Sequence, residues 1–301
     1  MSTTFYNNKF FQCLFVLLFG IATSVADANP NTFKTLLKIN IGMHTGSFDK
    51  YDMKSIENVC EELRLFDDRP NHRMAIELIL MCEAFAAANV KVDINVSPVP
   101  NYNRALRDAN GGLIHTIAET VWSSSLTNFQ DLYITQEVIR FGEFEKGIYT
   151  SPGHPLQKFK QTSLINFKDY SSVTFRHWEH DYKALREISG LVLTTIKFES
   201  LLNMLKAGRA DFSLIEFPKN KSLEFTYYGV TVLPIKGVKV KVFNSRVFVI
   251  SKKSKNSKEI FNALERGLTI LRNEKRITPH YVKEGIITPA VKDWKVLNSP
   301  N

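Results

Sequence analysis

The sequence predicts an α/β protein made of two lobes of similar architecture. Three observations support this fold class. The chain has 301 residues, enough for two domains at roughly 150 residues each. Segments with strand and helix periodicity alternate, as a parallel sheet with right-handed crossovers requires. Finally, a helix, a glycine and a strand that ends in an acid occur twice, and the spacing from Gly111 to Glu119 equals that from Gly208 to Glu216.

The N-terminal residues have the pattern of a secretory signal peptide. Lys9 precedes the apolar run FFQCLFVLLFGIA, and Ala26 and Ala28 satisfy the small-x-small rule of a cleavage site. We therefore predict a signal peptide over residues 1–28 and a periplasmic mature protein. An uncleaved membrane anchor is the alternative, although the run is short for a membrane span. No later segment has the apolar length of a span, so no stable membrane insertion is expected after cleavage.

The first half of the mature chain alternates between strands and helices. TFKTLLKINIGM predicts an opening strand closed by Gly42, and a polar stretch with a short helix in MKSIENVCEEL follows. NHRMAIELILMCEAFAAANV predicts a long helix with Asn71 as its N-cap. VKVDINVSPVP predicts a strand closed by prolines. YNRALRDANGG and LIHTIAE then predict a helix stopped by glycines and a strand that ends in Glu119.

The second half repeats this pattern and places an acid at a strand tip. SLLNMLKAG predicts a helix stopped by Gly208, and RADFSLIE predicts a strand that ends in Glu216. In open α/β sheets, ligands bind outside the carboxyl ends of the strands. Glu216 is therefore predicted to face a ligand cleft.

Composition and motifs narrow the classes of partner and chemistry. The formal charge is +9, and lysines cluster in IKGVKVKVF and SKKSKNSK. Aromatic residues do not alternate with these lysines as in a groove for single-stranded nucleic acid, so solvated lysines and no nucleic-acid partner are expected. The sequence contains no G-x-S-x-G, no H-E-x-x-H and no phosphate loop. We expect no cofactor.

Cys60 and Cys82 remain after cleavage of the signal peptide. In an oxidising compartment they can form a disulfide. Alternatively, Cys82 can be a small buried side chain of an apolar helix. The spacing alone leaves both possibilities open.

The element order from Lys38 to Gly285 resembles the type 2 periplasmic solute-binding proteins, most closely their amino-acid-binding branch. One segment that shows the resemblance is LLNMLKAGRADFSLIE, which is similar to that family's helix–AGxAD–strand–acid segment. The other is the tail SRVFVISKKSKNSKEIFNALERGLTILRNEKRITPHYVKEG, and SLINFKDYSSVTFRHW looks like the segment that opens the second lobe. The resemblance implies two α/β lobes joined by a two-strand hinge, with the ligand cleft between them. Lobe 1 would comprise residues 29–135 and 251–301, and lobe 2 residues 136–250.

The resemblance also implies positions for ligand contacts. Glu216 falls where the amino-acid-binding branch carries the acid that receives a ligand's amino group; a structural salt bridge is the alternative. His177 and Trp178 lie at a turn into a helix whose N–H groups hold an anion in relatives, although bulky residues replace the small pair found there. ETVWSSSLTNF contains no arginine where relatives clamp an α-carboxylate. This departure argues against an ordinary amino acid as the ligand.

Position alone adds weaker candidates. Glu119 echoes Glu216, although a polar contact at the hinge explains it as well. His44 and Thr45 follow the first strand tip. Trp122, like Trp178, is a candidate aromatic wall or a packed side chain.

Two further sets of side chains are candidates. His177 and His180 have helical spacing, but no further metal ligand is indicated, so no metal site is predicted. Arg140 is a candidate anion clamp or a support of the hinge.

Together these features predict an exported solute-binding protein without enzymatic activity. It would capture a small polar solute in the cleft and deliver it to an ABC permease or a membrane sensor. One alternative is an enzyme in the same cleft, in which Glu119 and Glu216 transfer protons as in dehydratases of this fold. Another is a periplasmic protein-interaction module that has lost ligand binding, which the missing arginine favours.

Overall fold

The structure, a computed structural model, describes residues 36–62, 73–159 and 166–300. These residues belong to the compact unit Phe33–Asn301. The predicted signal peptide at residues 1–28 and the predicted N-cap Asn71 lie outside the described residues. Within the described ranges, none of the helices combines the length and the apolar character that a membrane crossing needs.

Strands and helices alternate through most of the described chain. The strands are β1 (Leu36–His44), β2 (Lys91–Val99), β3 (Thr116–Ile117), β4 (Val121–Trp122), β5 (Leu132–Ile139), β6 (Phe144–Thr150), β7 (Ser171–Phe175), β8 (Leu191–Thr195), β9 (Ser213–Ile215), β10 (Phe225–Tyr227), β11 (Val230–Val242), β12 (Arg246–Ser251) and β13 (Lys295–Val296). The helices are α1 (Thr45–Lys50), α2 (Val59–Glu62), α3 (Arg73–Ala87), α4 (Tyr102–Gly111), α5 (Glu179–Ile188), α6 (Phe198–Lys206), α7 (Ser257–Asn273) and α8 (Ile277–Lys283). Short 3-10 turns join several of them.

A parallel sheet in the order β2-β1-β3 confirms the strand–helix–strand prediction for the first half. The helices α3 and α4 lie between consecutive strands of this sheet in the sequence. The alternating residues Leu37, Ile39 and Ile41 of β1 are fully buried in the core that includes the apolar stripe of α3. β1 continues to His44, beyond the predicted stop at Gly42. A second, antiparallel sheet has the order β4-β12-β5. We call these two sheets and the helices packed on them the first lobe.

The second lobe is built on the sheet β10-β11-β6-β9, with β13 paired to β11. β7 and β8 form a parallel pair, and a bridge between Ser172 and Phe212 joins β7 to the segment that enters β9. The predicted helix stopped by Gly208 is α6, and Gly208 adopts the positive φ of a helix C-terminus. The predicted strand RADFSLIE is shorter, because only Ser213–Ile215 pair with β6.

Two connections pass between the lobes. β5 leads into β6 through residues 140–143, and β11 leads into β12 through residues 243–245. The lobe limits at 135 and 250 remain a prediction. The C-terminal strand β13, at Lys295–Val296, pairs with β11 of the second lobe.

A disulfide joins Cys60 of α2 to Cys82 of α3. It ties the polar segment after β1, residues 45–62, which we call the insertion, to the long helix α3 of the first lobe. The short helix expected in this insertion is present as α2, and α1 is an additional helix that the sequence did not indicate. His44 caps α1 with its ring nitrogen, a role that the apolar periodicity could not reveal.

Candidate ligand-binding site

The predicted site residues lie at the carboxyl ends of strands in both lobes. In the first lobe, β1 ends at His44 and β3 ends two residues before Glu119. In the second lobe, β9 ends one residue before Glu216, and β7 ends before the turn that contains His177 and Trp178. This placement agrees with the general position of ligand sites in open α/β sheets.

Glu119 is largely buried and paired with two arginines. Its carboxylate accepts a hydrogen bond from Nη2 of Arg73 at 3.0 Å, and Nη2 of Arg246 lies 3.8 Å away. Burial raises the pKa of Glu119, while the charges of Arg73 and Arg246 oppose that rise. Arg73 comes from α3 and Arg246 from β12, so Glu119 joins a helix to the strand that follows the hinge.

A second acid, Glu77, is fully buried behind this pair. It accepts hydrogen bonds from the backbone N–H of Thr120 at 2.8 Å, the Thr120 hydroxyl at 2.7 Å and the Tyr281 hydroxyl at 3.2 Å. Arg246 donates to the Thr120 hydroxyl at 2.8 Å and to the Thr120 carbonyl, and its Nε lies 4.0 Å from Glu77. The buried carboxylate therefore has both an opposite charge and several hydrogen-bond donors, which offset its desolvation.

Glu216 differs from these acids. Its side chain is half-buried, and among the described residues it makes no hydrogen bond and no ion pair. Its charge still reaches its surroundings. Burial alone would lower the pKa of Arg73, but the charges of Glu77, Glu119 and Glu216 raise it. Glu216 also adds to the rise in the pKa of Asp181. Glu216 is thus a strand-tip carboxylate that accepts no hydrogen bond from the described residues.

Trp122 is half-buried and packed by protein groups. The guanidinium of Arg246 lies 4.5 Å from the centre of its ring system. The ring of His180 lies 4.8 Å away, and the ring of Phe144 meets it edge-on at 5.4 Å. These contacts bring together β4 and β12 of the first lobe with β6 and α5 of the second lobe.

A polar bridge runs across the hinge through Asn244, which is 6 % exposed. Its amide nitrogen donates to the hydroxyl of Ser124 at 2.6 Å and to Nε2 of His180 at 3.1 Å. Its amide oxygen accepts from the hydroxyl of Ser123 at 2.7 Å. Burial, together with the charges of nearby lysine and arginine residues, lowers the pKa of His180 to about 4. His180 is therefore neutral near pH 7 and acts as an acceptor.

Trp178 precedes the first turn of α5 and is half-buried, whereas His177 is exposed. The ammonium of Lys146 lies 4.6 Å from the Trp178 ring and forms a buried ion pair with Asp181 at 2.7 Å. Burial raises the pKa of Asp181, and Lys146 opposes this rise. The first turn of α5 thus already contains acids, Glu179 and Asp181.

His44, Thr45 and Arg140 are exposed. Nδ1 of His44 accepts from the backbone N–H of Gly46 at 3.2 Å, and Thr45 donates to the Val99 carbonyl at 3.1 Å. Arg140 lies in the turn between β5 and β6, where its backbone N–H donates to Glu143.

No group of three or more potential metal ligands occurs among the described residues. His177 and His180 differ in environment, since His177 is exposed and the Nε2 atom of His180 faces Asn244. A cavity of about 350 Å³ lies between the insertion and β2, where Phe48, Met53 and Ile94 are among its lining residues. None of the site residues described above lines this cavity.

The sequence interpretation missed Arg73, Glu77, Arg246 and Lys146. One signal was present: Arg73 and Glu77 stand four residues apart in a mostly apolar helix, so the pair shares a helix face. Arg246 is the single charge of β12 and Lys146 follows Glu145 in β6, and only the fold places them beside Glu119 and Asp181.

Comparison with known proteins supports the fold. No protein-family model and no curated protein matches the chain. Among solved structures, a probable amino-acid ABC transporter extracellular-binding protein, YtmK from Bacillus subtilis, is 13% identical, with a TM-score of 0.54 over 83% of this chain and 99% of the other. The second substrate-binding domain of GlnP from Lactococcus lactis is 14% identical, with a TM-score of 0.47 over 84% and 97%. An ancestral arginine-binding protein bound to arginine is 12% identical, with a TM-score of 0.46 over 82% and 97%.

At these identities a structural likeness shows the fold alone, and the match to YtmK carries that conclusion. It agrees with the two groups of sheets and the two connections between them. The chain therefore has the predicted two-lobe α/β fold, which is the fold of type 2 periplasmic binding proteins.

Proposed function

We propose that the protein is an exported solute-binding protein. It captures a small polar solute between the two lobes and delivers it to an ABC permease or a membrane sensor. The fold supports a solute-binding role, and the predicted signal peptide supports export to the periplasm. Hinge closure around a ligand is the usual mechanism of binding proteins with this architecture.

The unpartnered carboxylate of Glu216 is the observation that carries this proposal. Glu119 and Asp181 each form a close ion pair, and Glu77 is surrounded by donors. Among the described residues, Glu216 has neither an ion pair nor a hydrogen bond, although it is half-buried at a strand tip. A half-buried charge without a partner is costly. A ligand that presents a cationic or hydroxyl group to Glu216 would remove that cost.

The other candidates are assigned supporting roles. Trp178 would form an aromatic wall, and His44 and Thr45 would lie at the rim on the first lobe. Glu119 and Trp122 would shape the floor of the cleft, since Arg73 and Arg246 already occupy them. An anionic part of a ligand near His177 would meet Glu179 and Asp181 in the first turn of α5. This makes the backbone near His177 a poor anion site.

The test is thermal unfolding of the mature protein against a panel of amino acids, amines, sugars and organic acids. A ligand at 100 times its dissociation constant stabilises by about 2.7 kcal/mol. For a chain of this size that corresponds to a rise of roughly 5 °C in Tm. We expect one chemical class to raise the Tm and to be recovered unchanged. Conversion of the compound would indicate the enzyme alternative, and a panel without any shift would contradict solute binding and favour an interaction module.

A further inference from the structure

We infer that the cleft selects a small organic cation that carries no carboxylate, such as a diamine or a guanidine. The inference rests on the proposed function, because it names the class of solute that the site around Glu216 would take. It follows from how the charged groups of the two lobes are paired.

The cations near the strand tips already have carboxylate partners. Arg73 donates to Glu119 at 3.0 Å. Lys146 is paired with Asp181 at 2.7 Å, and their side chains are only 7 % and 4 % exposed. Each of these cations therefore has a carboxylate partner within the protein itself. A ligand carboxylate would have to compete with a protein carboxylate for either cation.

Arg246 is committed in the same way. It is 3 % exposed, lies over Trp122, donates to Thr120 and stands between Glu77 and Glu119. The nearby His180 is neutral at pH 7, because its ring nitrogen accepts from Asn244 and its pKa is about 4. It adds no positive charge.

Among the buried and half-buried groups at the strand tips, the balance of charge is negative; the exposed His44 and Lys183 lie outside this set. The cations are Arg73, Arg246 and Lys146, and the acids are Glu77, Glu119, Asp181 and Glu216. Glu216 is therefore the acid in excess, and it is also the one without a partner among the described residues. A ligand cation would neutralise the cluster, whereas a ligand carboxylate would add a second unpaired negative charge.

Arg73 is the remaining route by which a carboxylate could be held, since its side chain is 21 % exposed. However, the charges of Glu77, Glu119 and Glu216 all reach it. A ligand carboxylate at Arg73 would thus be attracted by one cation and repelled by these three acids. The aromatic surface of Trp178, against which Lys146 already lies, suits the apolar stem of an amine better than a second anion.

The experiment uses pairs of compounds that differ by one carboxylate. Isothermal titration of the mature protein compares 1,5-diaminopentane with lysine, and agmatine with arginine. We expect the amine of at least one pair to bind at least ~10-fold more tightly than its amino acid, a difference of about 1.4 kcal/mol. Glu216→Gln should lose this binding. Glu224→Gln, which changes an exposed acid of the same lobe, should keep it.

The outcomes separate this inference from the proposed function. Equal or tighter binding of the amino acids, or binding of a neutral or anionic solute instead, would overturn the ligand class and leave solute binding intact. Amine binding that survives in Glu216→Gln would also overturn it, since the cation would then lie elsewhere. If no compound in either panel binds, the proposed function fails together with the inference.

Discussion

Glu119 illustrates how a single carboxylate can stabilise the base of the cleft. It receives a hydrogen bond from Arg73 and lies 3.8 Å from Arg246, so its removal leaves the half-buried Arg73 and the buried Arg246 with reduced compensation. Glu119→Gln keeps the size of the side chain but removes the charge. We expect a loss of ~2–4 kcal/mol in the free energy of unfolding, as for a broken buried pair. Urea unfolding of the unliganded protein measures this loss, and a change below ~0.5 kcal/mol, as at an ordinary surface site, would contradict the assignment.

His180 gives the protein a specific dependence on pH. Its pKa in the folded protein is about 4, below the ordinary value of 6.5. The unfolded chain therefore binds a proton more readily between these values, so the stability that neutral His180 provides is complete above pH 6.5 and is lost as the pH falls towards 4.

We expect this contribution to be about 1–2 kcal/mol after allowance for partial exposure. His180→Gln retains a side-chain acceptor for Asn244 but does not titrate. The stability of the variant, measured by urea unfolding at several pH values, should fall less than that of the wild type between pH 6.5 and 4. Parallel curves for the two proteins would show that His180 does not titrate as described.

At the scale of elements, α3 and α7 of the first lobe pack closely against each other at Gly267. A Cβ added to Gly267 of α7 would collide with the backbone carbonyl of Ala84 in α3. Backbone cannot move aside as a flexible side chain can, so Gly267→Ala should separate the helices and cost ~1–3 kcal/mol or more. Gly111→Ala in α4 is the matched control, because no atom lies within 4 Å of the added Cβ. Thermal unfolding should show a lower Tm for the first variant and an equal or higher Tm for the second.

The disulfide fixes the insertion to the same helix. Cys60 and Cys82 are separated by 22 positions, so their bond restricts a loop of moderate length in the unfolded chain. On a chain-entropy argument, the double change Cys60→Ala and Cys82→Ala should lower the free energy of unfolding by about 3 kcal/mol. Urea unfolding of the oxidised wild type and the double variant measures it. Equal stability would mean that the bond does not constrain the unfolded state.

Local patterns predicted most of the elements but few of their ends. The apolar stripe of α3 and the alternation in β2 were sufficient to predict these two elements, because each pattern is complete within its own segment. α1 has only six residues and depends on the ring of His44 as its cap, so periodicity could not reveal it. β3 ends at Ile117 rather than Glu119, because only two of its residues pair with β1.

At the scale of the whole molecule, the site could be predicted only in part. A strand-tip acid in each lobe follows from sequence, and the structure places Glu119 and Glu216 accordingly. Their difference does not follow from sequence, because the partners of Glu119 come from α3 and β12, far away along the chain. The segment ETVWSSSLTNF has no arginine where relatives clamp an α-carboxylate. The arginines at the strand tips of this chain, Arg73 and Arg246, are instead paired with the protein carboxylates Glu77 and Glu119.

One set of acids holds the two-lobe structure together, and one further acid, Glu216, is left for a ligand. Urea unfolding of unliganded Glu216→Gln, with wild type and Glu119→Gln measured alongside, tests this separation most directly. We predict that Glu216→Gln has a free energy of unfolding within ~0.5 kcal/mol of wild type or above it, because it breaks no ion pair or hydrogen bond among the described residues and removes a negative charge near Asp181. A loss as large as that of Glu119→Gln would contradict the account, since Glu216 would then have a structural partner.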